Sequence, residues 1–423
     1  MERITLNAIK KKENKIEYDF SVSDGFIKFF SGRKFIIEYP ENMELVPDAI
    51  AAVPFVCNVL PLIWLADALL EVPELDQAFY DCIPDIQKGY SAMFPESVFA
   101  GTVVVRSLVR CDIPGTDRCA AFFSGGLDSV QTLISHLDEK PELISIWGSD
   151  IRYDNDEGWK LVHQGIAEYS EKYGLKDVVI KSTFREFEIE WKLDESYKAQ
   201  LKDGWWHGVQ HGIGLISHAA PYAYIKGLSI IYFASSNCPE DGIVRCASHP
   251  SIDNQVRFAN CQIIHDGFEY NRQGKVHNVV DYVRRTGDKV SLHVCWQSQA
   301  GSNCCLCEKC YRTMAGIIAE CADPKDYGFE NVETGLKKSQ DCLIGRGEMS
   351  PFLSATQWVH TGRKIVENKE KIQNTEYWKY IKWMEKIDFL HPETIKVPLM
   401  VRLRVWVSRT LLARGLRRIR RLF

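Results

Sequence analysis

A short glycine-rich turn between an apolar strand and an amphipathic helix constrains this chain more than any other feature. The turn reads Ser-Gly-Gly-Leu-Asp-Ser over residues 124–129, and it follows the apolar run 119–123. Apolar residues then recur at helical spacing as far as residue 137. The first N–H groups of such a helix, together with the helix dipole, favour an anion at the turn. Two glycines let the main chain come close to a phosphate group. The sequence therefore predicts a polyanion site here.

The hexapeptide resembles the SGGxDS loop of the PP-loop ATP pyrophosphatases, and it does not fit the Walker A pattern. Those enzymes cleave ATP between its α and β phosphates and adenylate an oxygen of the substrate. The resemblance implies that the following residues bind ATP: Ser124, Gly125, Gly126, Leu127, Asp128 and Ser129. Asp128 can hold Mg²⁺, which prefers oxygen ligands, and we expect Asp128 and Ser129 to be catalytic.

Strands and helices alternate beyond residue 117, which predicts an α/β fold with a doubly wound parallel sheet. The resemblance implies that this sheet is of the PP-loop type. The strands are predicted at 119–123, 143–147, 178–181 and 228–234, and the helices at 128–137, 157–173 and, less regularly, 204–225. Ligands of such sheets lie beyond the carboxyl ends of the strands. Trp147 ends the second strand and Gly148 follows it, and we expect both residues beside the adenine.

The first 115 residues predict an α+β module whose chemistry the sequence does not reveal. Segment 49–70 within it is mostly apolar and about as long as a membrane span. Pro54 and Pro61 would break or kink a lone helix there. We therefore expect a buried helical hairpin or a broken core helix.

Four cysteines with the spacing C-x8-C-x2-C-x2-C predict a metal site. They are Cys295, Cys304, Cys307 and Cys310. Four thiolates suit a closed, structural, tetrahedral Zn²⁺ site. Cys305 leaves open which of two adjacent thiols is a ligand, and an iron–sulfur cluster also uses four thiolates.

Together the two motifs resemble the 7-cyano-7-deazaguanine synthases, which combine a PP-loop domain with a four-cysteine zinc site. The resemblance covers about residues 117–316 and implies ATP-dependent adenylation of a carboxylate or amide oxygen, then nitrogen transfer to give an amide or nitrile. The predicted organisation is an N-terminal α+β module (1–115), an ATP-binding domain (116–290), a zinc site with a helix (291–320) and a helical C-terminal region (321–423). We expect the acceptor to be a small-molecule or macromolecular carboxylate and the nitrogen to come from ammonia or a partner's amine.

Several polar residues near predicted strand ends are candidates for contact with the acceptor. Residues 205–212 combine two tryptophans with two histidines, of which His211 is the candidate acid–base group. The candidate substrate-binding residues are Ser236, Asn237, His249 and Asp253. Cys238 and Cys246 leave open an alternative reaction, sulfur transfer from a cysteine persulfide.

The composition of the chain limits the class of protein that it can be and the cellular compartment in which we expect it. The chain has 423 residues and a net charge of −4, which argues against bulk nucleic-acid binding. No secretory leader is expected, and 14 clustered cysteines suit a reducing cytoplasm. Eight arginines between Arg402 and Arg421 predict an amphipathic tail that contacts a membrane surface, a partner or the protein itself. A nucleotide-bound scaffold and a homodimer both stay open.

Overall fold

The chain forms two compact units in the computed structural model, which describes residues 1–113, 116–242, 244–295, 302–345 and 354–391. The first unit comprises the described parts of Met1–Asn237 and Gly242–Phe268, and the second those of Cys238–Asp241, Glu269–Ser298 and Ser302–Phe423. Residues 1–113 and the predicted ATP-binding region contribute strands to one sheet. The domain boundaries predicted at residues 115 and 290 remain predictions.

An eleven-stranded sheet forms the first unit. Its strands in chain order are β1 Arg3–Lys12, β2 Lys15–Val22, β3 Phe35–Glu38, β4 Leu69–Asp76, β5 Thr102–Val109, β6 Cys119–Phe122, β7 Glu142–Trp147, β8 Asp177–Ser182, β9 Ile230–Ala234, β10 Arg257–Phe258 and β11 Cys261–Asp266. Their spatial order is β10-β11-β9-β6-β7-β8-β3-β2-β1-β4-β5.

The sheet is mixed, with one continuous parallel block. Strands β11, β9, β6, β7 and β8 all run parallel to their neighbours within this block. Antiparallel pairs join β8 to β3, β3 to β2 and β2 to β1, and parallel pairs add β4 and β5. The α/β class is confirmed. The parallel sheet predicted from residue 117 onward is confirmed for the five-stranded block, whereas β10 at its edge pairs antiparallel with β11. The N-terminal strands extend the same sheet.

The central strands of the block are buried on both faces. In β6, Ala120 and Phe122 belong to the main hydrophobic core, whereas Cys119 and Ala121 contact a second cluster that includes Tyr232 of β9. Successive residues of a strand point to opposite faces, so both faces of β6 are covered. This burial explains why β6 is an uninterrupted apolar run in the sequence.

Helices of the first unit connect these strands. They are α1 Asp24–Ile27, α2 Asp48–Ala51, α3 Val53–Leu65, α4 Gln77–Met93, α5 Leu127–Ser135, α6 Asp156–Tyr173, α7 Phe184–Phe187, α8 Glu190–Leu201, α9 His211–Ile216, α10 Ala219–Lys226 and α11 Pro250–Asp253. A π-helical turn, Trp206–Gln210, precedes α9. Gly174 ends α6 with φ +62°, as its sequence predicts. Helix α5 ends earlier than predicted, because the chain tightens into a 3₁₀ turn at Leu137–Glu139.

The apolar segment 49–70 lies in the core of the first unit. It forms α2 and α3, and α3 is buried from Val53 to Trp64 with Pro61 inside it. The prediction of a broken core helix is therefore confirmed. Across the part of the chain that the structure describes, no helix combines the length and apolarity that a membrane crossing requires.

The second unit is helical. Its helices are α12 Arg272–Thr286, α13 Glu308–Ala319, α14 Val332–Gly345, α15 Ser354–Glu367, α16 Lys369–Ile372 and α17 Trp378–Ile381. Short 3₁₀ turns lie at Pro239–Asp241, Pro324–Tyr327 and Lys382–Lys386. The Arg-rich tail predicted from residue 402 onward lies outside the described residues.

Candidate functional site

The glycine-rich turn leaves the carboxyl end of β6 and enters α5 directly. Gly125 has φ +71°, a left-handed conformation that glycine adopts without strain. Gly126 is the N-cap of α5, and the first helical hydrogen bond runs from Val130 N–H to its carbonyl oxygen at 2.9 Å. Gly126 has no side chain, so it cannot cap the N–H groups of the first helical turn. The start of α5 thus has no side-chain cap at the place where a phosphate is predicted.

The hydroxyl groups of two serines hydrogen-bond within the turn. The Ser124 and Ser129 hydroxyl oxygens lie 3.3 Å apart, and Ser129 donates to the Gly126 carbonyl at 3.1 Å. Ser124 also accepts from Gly126 N–H at 3.4 Å. Ser129 is buried, Ser124 is exposed and Asp128 is half-buried. Ser129 therefore holds the loop, while Ser124 and Asp128 reach the surface where a ligand would bind.

Other strand ends of the parallel block lie at the same edge. Gly148 follows β7 with φ +119°, and a Cβ there would lie 1.8 Å from the Ser182 carbonyl oxygen. Ser235 follows β9, and its N–H donates to Asp266 of β11 at 2.8 Å. Ser236 is exposed, whereas Asn237 is buried and accepts from the Ser235 hydroxyl at 2.7 Å. The structure thus brings Ser236 and Gly148 to the edge that carries the turn.

Trp147 lies in an aromatic stack at the end of β7. Its ring stacks on Trp159 at 5.2 Å, and the Lys181 Nζ atom lies 3.6 Å from the centre of the ring. The indole N–H donates to the Arg152 carbonyl at 2.9 Å. These contacts fix the orientation of the Trp147 ring at the end of β7, next to Gly148, with Lys181 over the ring.

His211 begins α9 next to the π-helical turn. Its ring meets Trp206 edge-on at 5.1 Å and Phe233 of β9 at 6.3 Å. Phe233 in turn contacts Phe122, which lies two residues before Ser124. A chain of aromatic contacts therefore leads from His211 to the carboxyl end of β6.

Asp253 and His249 belong to a polar cluster beside β11. The Asp253 carboxylate is fully buried and accepts from the Ser248 hydroxyl and from His265 Nδ1, both at 2.8 Å. His249 Nδ1 accepts from Ser251 N–H at 3.1 Å, and burial followed by the neighbouring His265 lowers the pKa of His249. Asp253 thus anchors two internal side chains, while His249 is half-buried.

His265 has a role in this cluster that the sequence reasoning missed. The signal was available, since His265 continues the buried positions Cys261 and Ile263 at a spacing of two along β11. A histidine on the buried face of a strand requires a polar partner, and Asp253 is that partner. Asp266 was missed as well, although it accepts from the Thr132 hydroxyl of α5 at 2.6 Å.

The second unit contains the candidate metal centre. One ligand atom from each of Cys295, Cys304, Cys307 and Cys310 lies within 4.8 Å of the others. Sulfur separations are 3.9 Å for Cys295–Cys307, 4.0 Å for Cys304–Cys310 and 3.5 Å for Cys307–Cys310. Thiolates about 2.3 Å from one tetrahedral ion are about 3.8 Å apart. The cluster can therefore bind a metal such as zinc, and its compactness favours a single ion over an iron–sulfur cluster, whose thiolates bind separate irons.

The local chain explains why these four thiols converge. Asn303 joins the two ligand segments, because its side chain accepts from Val294 N–H at 3.0 Å and donates to the Leu292 carbonyl at 2.6 Å. Cys307 is the N-cap of α13, which places Cys310 one turn along the same helix. The hydrogen bond between Cys307 and Cys310 lowers the pKa of Cys307 and raises the pKa of Cys310, because one proton is shared by two neighbouring thiols.

Cys305 is not one of the four. Its φ is +55°, and its sulfur points to the Asn303 carbonyl oxygen at 3.6 Å. This turn of the backbone separates two adjacent cysteines, so the structure assigns Cys304 to the cluster and resolves the choice that the sequence left open.

Comparisons with known proteins give no family for the chain. No protein-family model matches it, and searches of curated proteins and of solved structures return no match either.

Proposed function

We propose that the chain is an ATP-dependent, carbon–nitrogen bond-forming ligase of the PP-loop class. It adenylates a carboxylate or amide oxygen, releases pyrophosphate and passes the activated group to a nitrogen nucleophile, as the deazaguanine synthases do on a substrate of their own. The observation that carries the proposal is the turn at residues 124–129. It combines a left-handed Gly125, a helix N-terminus without a side-chain cap, an exposed Ser124 hydroxyl and a half-buried Asp128 carboxylate at the edge of a parallel sheet.

The turn would hold the pyrophosphate as it leaves. The N–H groups at the start of α5 and the Ser124 hydroxyl would donate to its oxygens, and these donors are fixed before reaction because Ser129 braces the loop. Asp128 fits a Mg²⁺ ligand, and that ion supplies neutralisation of phosphate charge when it is bound. Zinc at the cysteine cluster would be structural, because all four ligand positions come from the protein.

Residues around the turn support the remaining roles. Trp147 and Gly148 would lie along the adenine, and His211 would accept a proton near the acceptor, with Ser236, Asn237 and His249 in contact with it. Asp253 would act through Ser248 and His265, since its carboxylate is buried among them. The acceptor, the nitrogen donor and any dimer stay open, and the tail remains a predicted contact for a membrane or a partner.

One alternative is sulfur transfer from a cysteine persulfide. A persulfide carrier requires an exposed thiol with a low pKa. Cys238 is buried, and burial followed by the nearby Asp241 raises its pKa to about 11. That environment disfavours Cys238 as the persulfide carrier. Nitrogen transfer therefore remains the preferred reaction.

The test is pyrophosphate and AMP release from ATP by the zinc-loaded protein, with a panel of carboxylates that includes 7-carboxy-7-deazaguanine. We expect release to depend on one acid and to fall by about 10²–10³-fold in Asp128→Asn, because a preorganised charge at the phosphates is lost. Asp138→Asn is the matched control, since Asp138 is exposed in the 3₁₀ turn beyond α5. Equal turnover in the two variants would contradict the proposal, and a folded protein that never releases pyrophosphate would favour the scaffold alternative.

A further inference from the structure

His136 lies between two carboxylates where α5 ends. Its Nδ1 atom is 2.8 Å from Oε1 of Glu139, and its Nε2 atom is 2.9 Å from Oδ1 of Asp266. An ionised carboxylate only accepts hydrogen bonds, so each ring nitrogen must donate to satisfy both contacts. The arrangement is therefore that of an imidazolium, which has an N–H group on each side of the ring.

The ring is held between the helix and the sheet. It stacks on Tyr232 of β9, with the ring centres 3.7 Å apart and the ring planes at 18°. The Tyr232 hydroxyl donates to Oε2 of Glu139 at 2.7 Å, so Glu139 has two side-chain partners. The side chain of His136 is 19% exposed and that of Asp266 is 15% exposed, which limits the screening of their charges by salt.

Asp266 joins the helix to the ends of two strands. Its Oδ2 atom accepts from the Thr132 hydroxyl of α5 at 2.6 Å, and its Oδ1 atom contacts His136, one helical turn further along the chain. Its backbone carbonyl oxygen accepts from Ser235 N–H at 2.8 Å, just beyond β9. One residue at the carboxyl end of β11 thus holds the helix that begins at the glycine-rich turn and the loop that carries Ser236.

The charges around the ring favour its protonated form. Burial disfavours a charged ring, but the hydrogen bonds with Asp266 and then with Glu139 outweigh burial and raise the pKa of His136 above its usual value. Burial also opposes ionisation of Glu139, but the hydrogen bonds from His136 and Tyr232 outweigh it and lower the pKa of that carboxyl. The two shifts have the opposite directions that an ion pair requires.

The titratable groups that face the ring come from three elements. They are Asp266 of β11, Tyr232 of β9 and Glu139 of the 3₁₀ turn. Behind Glu139 lies Cys119 of β6, whose thiol donates to the Glu139 carbonyl oxygen at 3.7 Å. A cation at the end of α5 also suits the negative end of the helix dipole.

We propose that His136 is a proton-dependent clamp, in which the imidazolium fastens α5, and with it the glycine-rich turn, to the carboxyl end of β11. When the ring loses a proton, the lone pair of one nitrogen faces a carboxylate, and a hydrogen bond is replaced by repulsion. The helix is then held less firmly against the sheet. The clamp would thereby make the candidate nucleotide site sensitive to pH, and only this consequence rests on the function proposed above.

The clamp acts at low pH and is released as the pH rises. The pKa of His136 is higher in the folded chain than in the unfolded chain, so the folded chain binds the proton more tightly. This stabilisation is fully present below the pKa of an unfolded histidine, about 6.5. It is lost as the pH increases through the pKa of the folded chain.

Nuclear magnetic resonance of the full-length protein with ¹³C-labelled histidine tests the protonation of the ring. The resonance that disappears in His136→Gln is that of His136. We expect it to titrate above pH 6.5 in the wild-type protein, because both ring nitrogens face carboxylates. A midpoint at or below that pH would overturn the proposal.

Hydrogen exchange followed by mass spectrometry distinguishes a clamp on α5 from an ordinary ion pair. At pH 6 we expect peptides from residues 124–135 to exchange at least about 5-fold faster in His136→Gln than in the wild-type protein, since a charge-assisted contact is lost. At pH 9, after correction for the intrinsic exchange rate, the two proteins should agree within about 2-fold. Circular dichroism checks that the variant is folded.

His163→Gln is the matched control for that experiment. His163 lies in α6 and pairs with Asp177, and this pairing also raises its pKa. His163→Gln should leave the exchange of residues 124–135 unchanged at both pH values. An equal effect of the two variants, no effect of His136→Gln at pH 6, or an effect that persists at pH 9 would overturn the proposal. Neither measurement uses ATP, so its failure is distinguishable from a failure of the proposed ligase function.

Discussion

The glycine-rich turn and the cysteine cluster are built in opposite ways. The turn is a backbone site, in which N–H groups, a left-handed Gly125 and a bracing Ser129 create the predicted contacts. The cluster is a side-chain site, in which four thiols converge from two short segments. The comparison teaches that the first depends on the fold of the sheet, whereas the second depends on a ligand that can itself organise the chain.

Loss of the metal should produce the largest effect. A structural zinc site contributes about 10–16 kcal/mol of apparent free energy in small domains at pH 7. Chelation or Cys310→Ser should therefore unfold the second unit, as followed by zinc content and thermal unfolding. Because the ligands must be deprotonated, acid should release the metal, and higher pH should not.

Cys305→Ser is the control for that experiment. Cys305 lies outside the four-thiol group, so this variant should keep one zinc per chain. Zinc loss in Cys305→Ser combined with retention in Cys304→Ser would reverse the ligand assignment.

Gly148→Ala should produce the next largest loss of stability. It tests whether the sheet edge that carries the glycine-rich turn requires the close approach of the Gly148 backbone to Ser182. The new Cβ would lie 1.8 Å from the Ser182 carbonyl oxygen, at a φ of +119°. We expect a loss of about 3–5 kcal/mol in the free energy of unfolding, measured in urea. Gly174→Ala also has a positive φ but meets no atom within 4 Å, so it should cost only about 1 kcal/mol. Equal losses of unfolding free energy in the two variants would show that backbone strain at positive φ, rather than the contact with Ser182, determines both losses.

Ser129→Ala removes the internal brace of the turn. Ser129 is buried and donates to the Gly126 carbonyl, so its loss should cost about 1–2 kcal/mol and weaken ATP binding through a looser loop. Urea unfolding and nucleotide titration measure the two effects. An unchanged ATP affinity would mean that the loop keeps its shape without the hydroxyl.

Ser124→Ala should produce the smallest effect on stability. Ser124 is exposed, and we expect a change within about 0.5 kcal/mol. ATP binding should still weaken several-fold, because one donor to the phosphates is lost. A greater loss of stability than in Ser129→Ala would invert the roles assigned to the two hydroxyls.

Some parts of the glycine-rich turn and of the cysteine cluster are formed by a few consecutive residues. Local sequence patterns predicted these parts. The strand, turn and helix around Gly125 follow from apolar spacing and glycine chemistry, and the spacing of Cys304, Cys307 and Cys310 fixes three of four thiols on adjoining turns. These features need no knowledge of distant segments.

Contacts between distant segments could not be predicted. Pairing of Asp253 with His265 and of Asp266 with Thr132 depends on which segments become neighbours in the fold. Single-sequence patterns carry no register between such segments, and the same reason explains why the N-terminal strands were expected in a separate module.

The pairing of β3 with β8 limits where this protein can be truncated. Only two residue pairs are in register there, Ile37 with Ser182 and Glu38 with Lys181, yet they cover the free side of the parallel block. A fragment that begins at residue 116 would keep the glycine-rich turn and lose that cover. The exposed β8 would then present unpaired main-chain donors and acceptors to other molecules. The N-terminal strands thus protect the parallel block against edge-to-edge aggregation, and a fragment trimmed to this block would need a substitute for them.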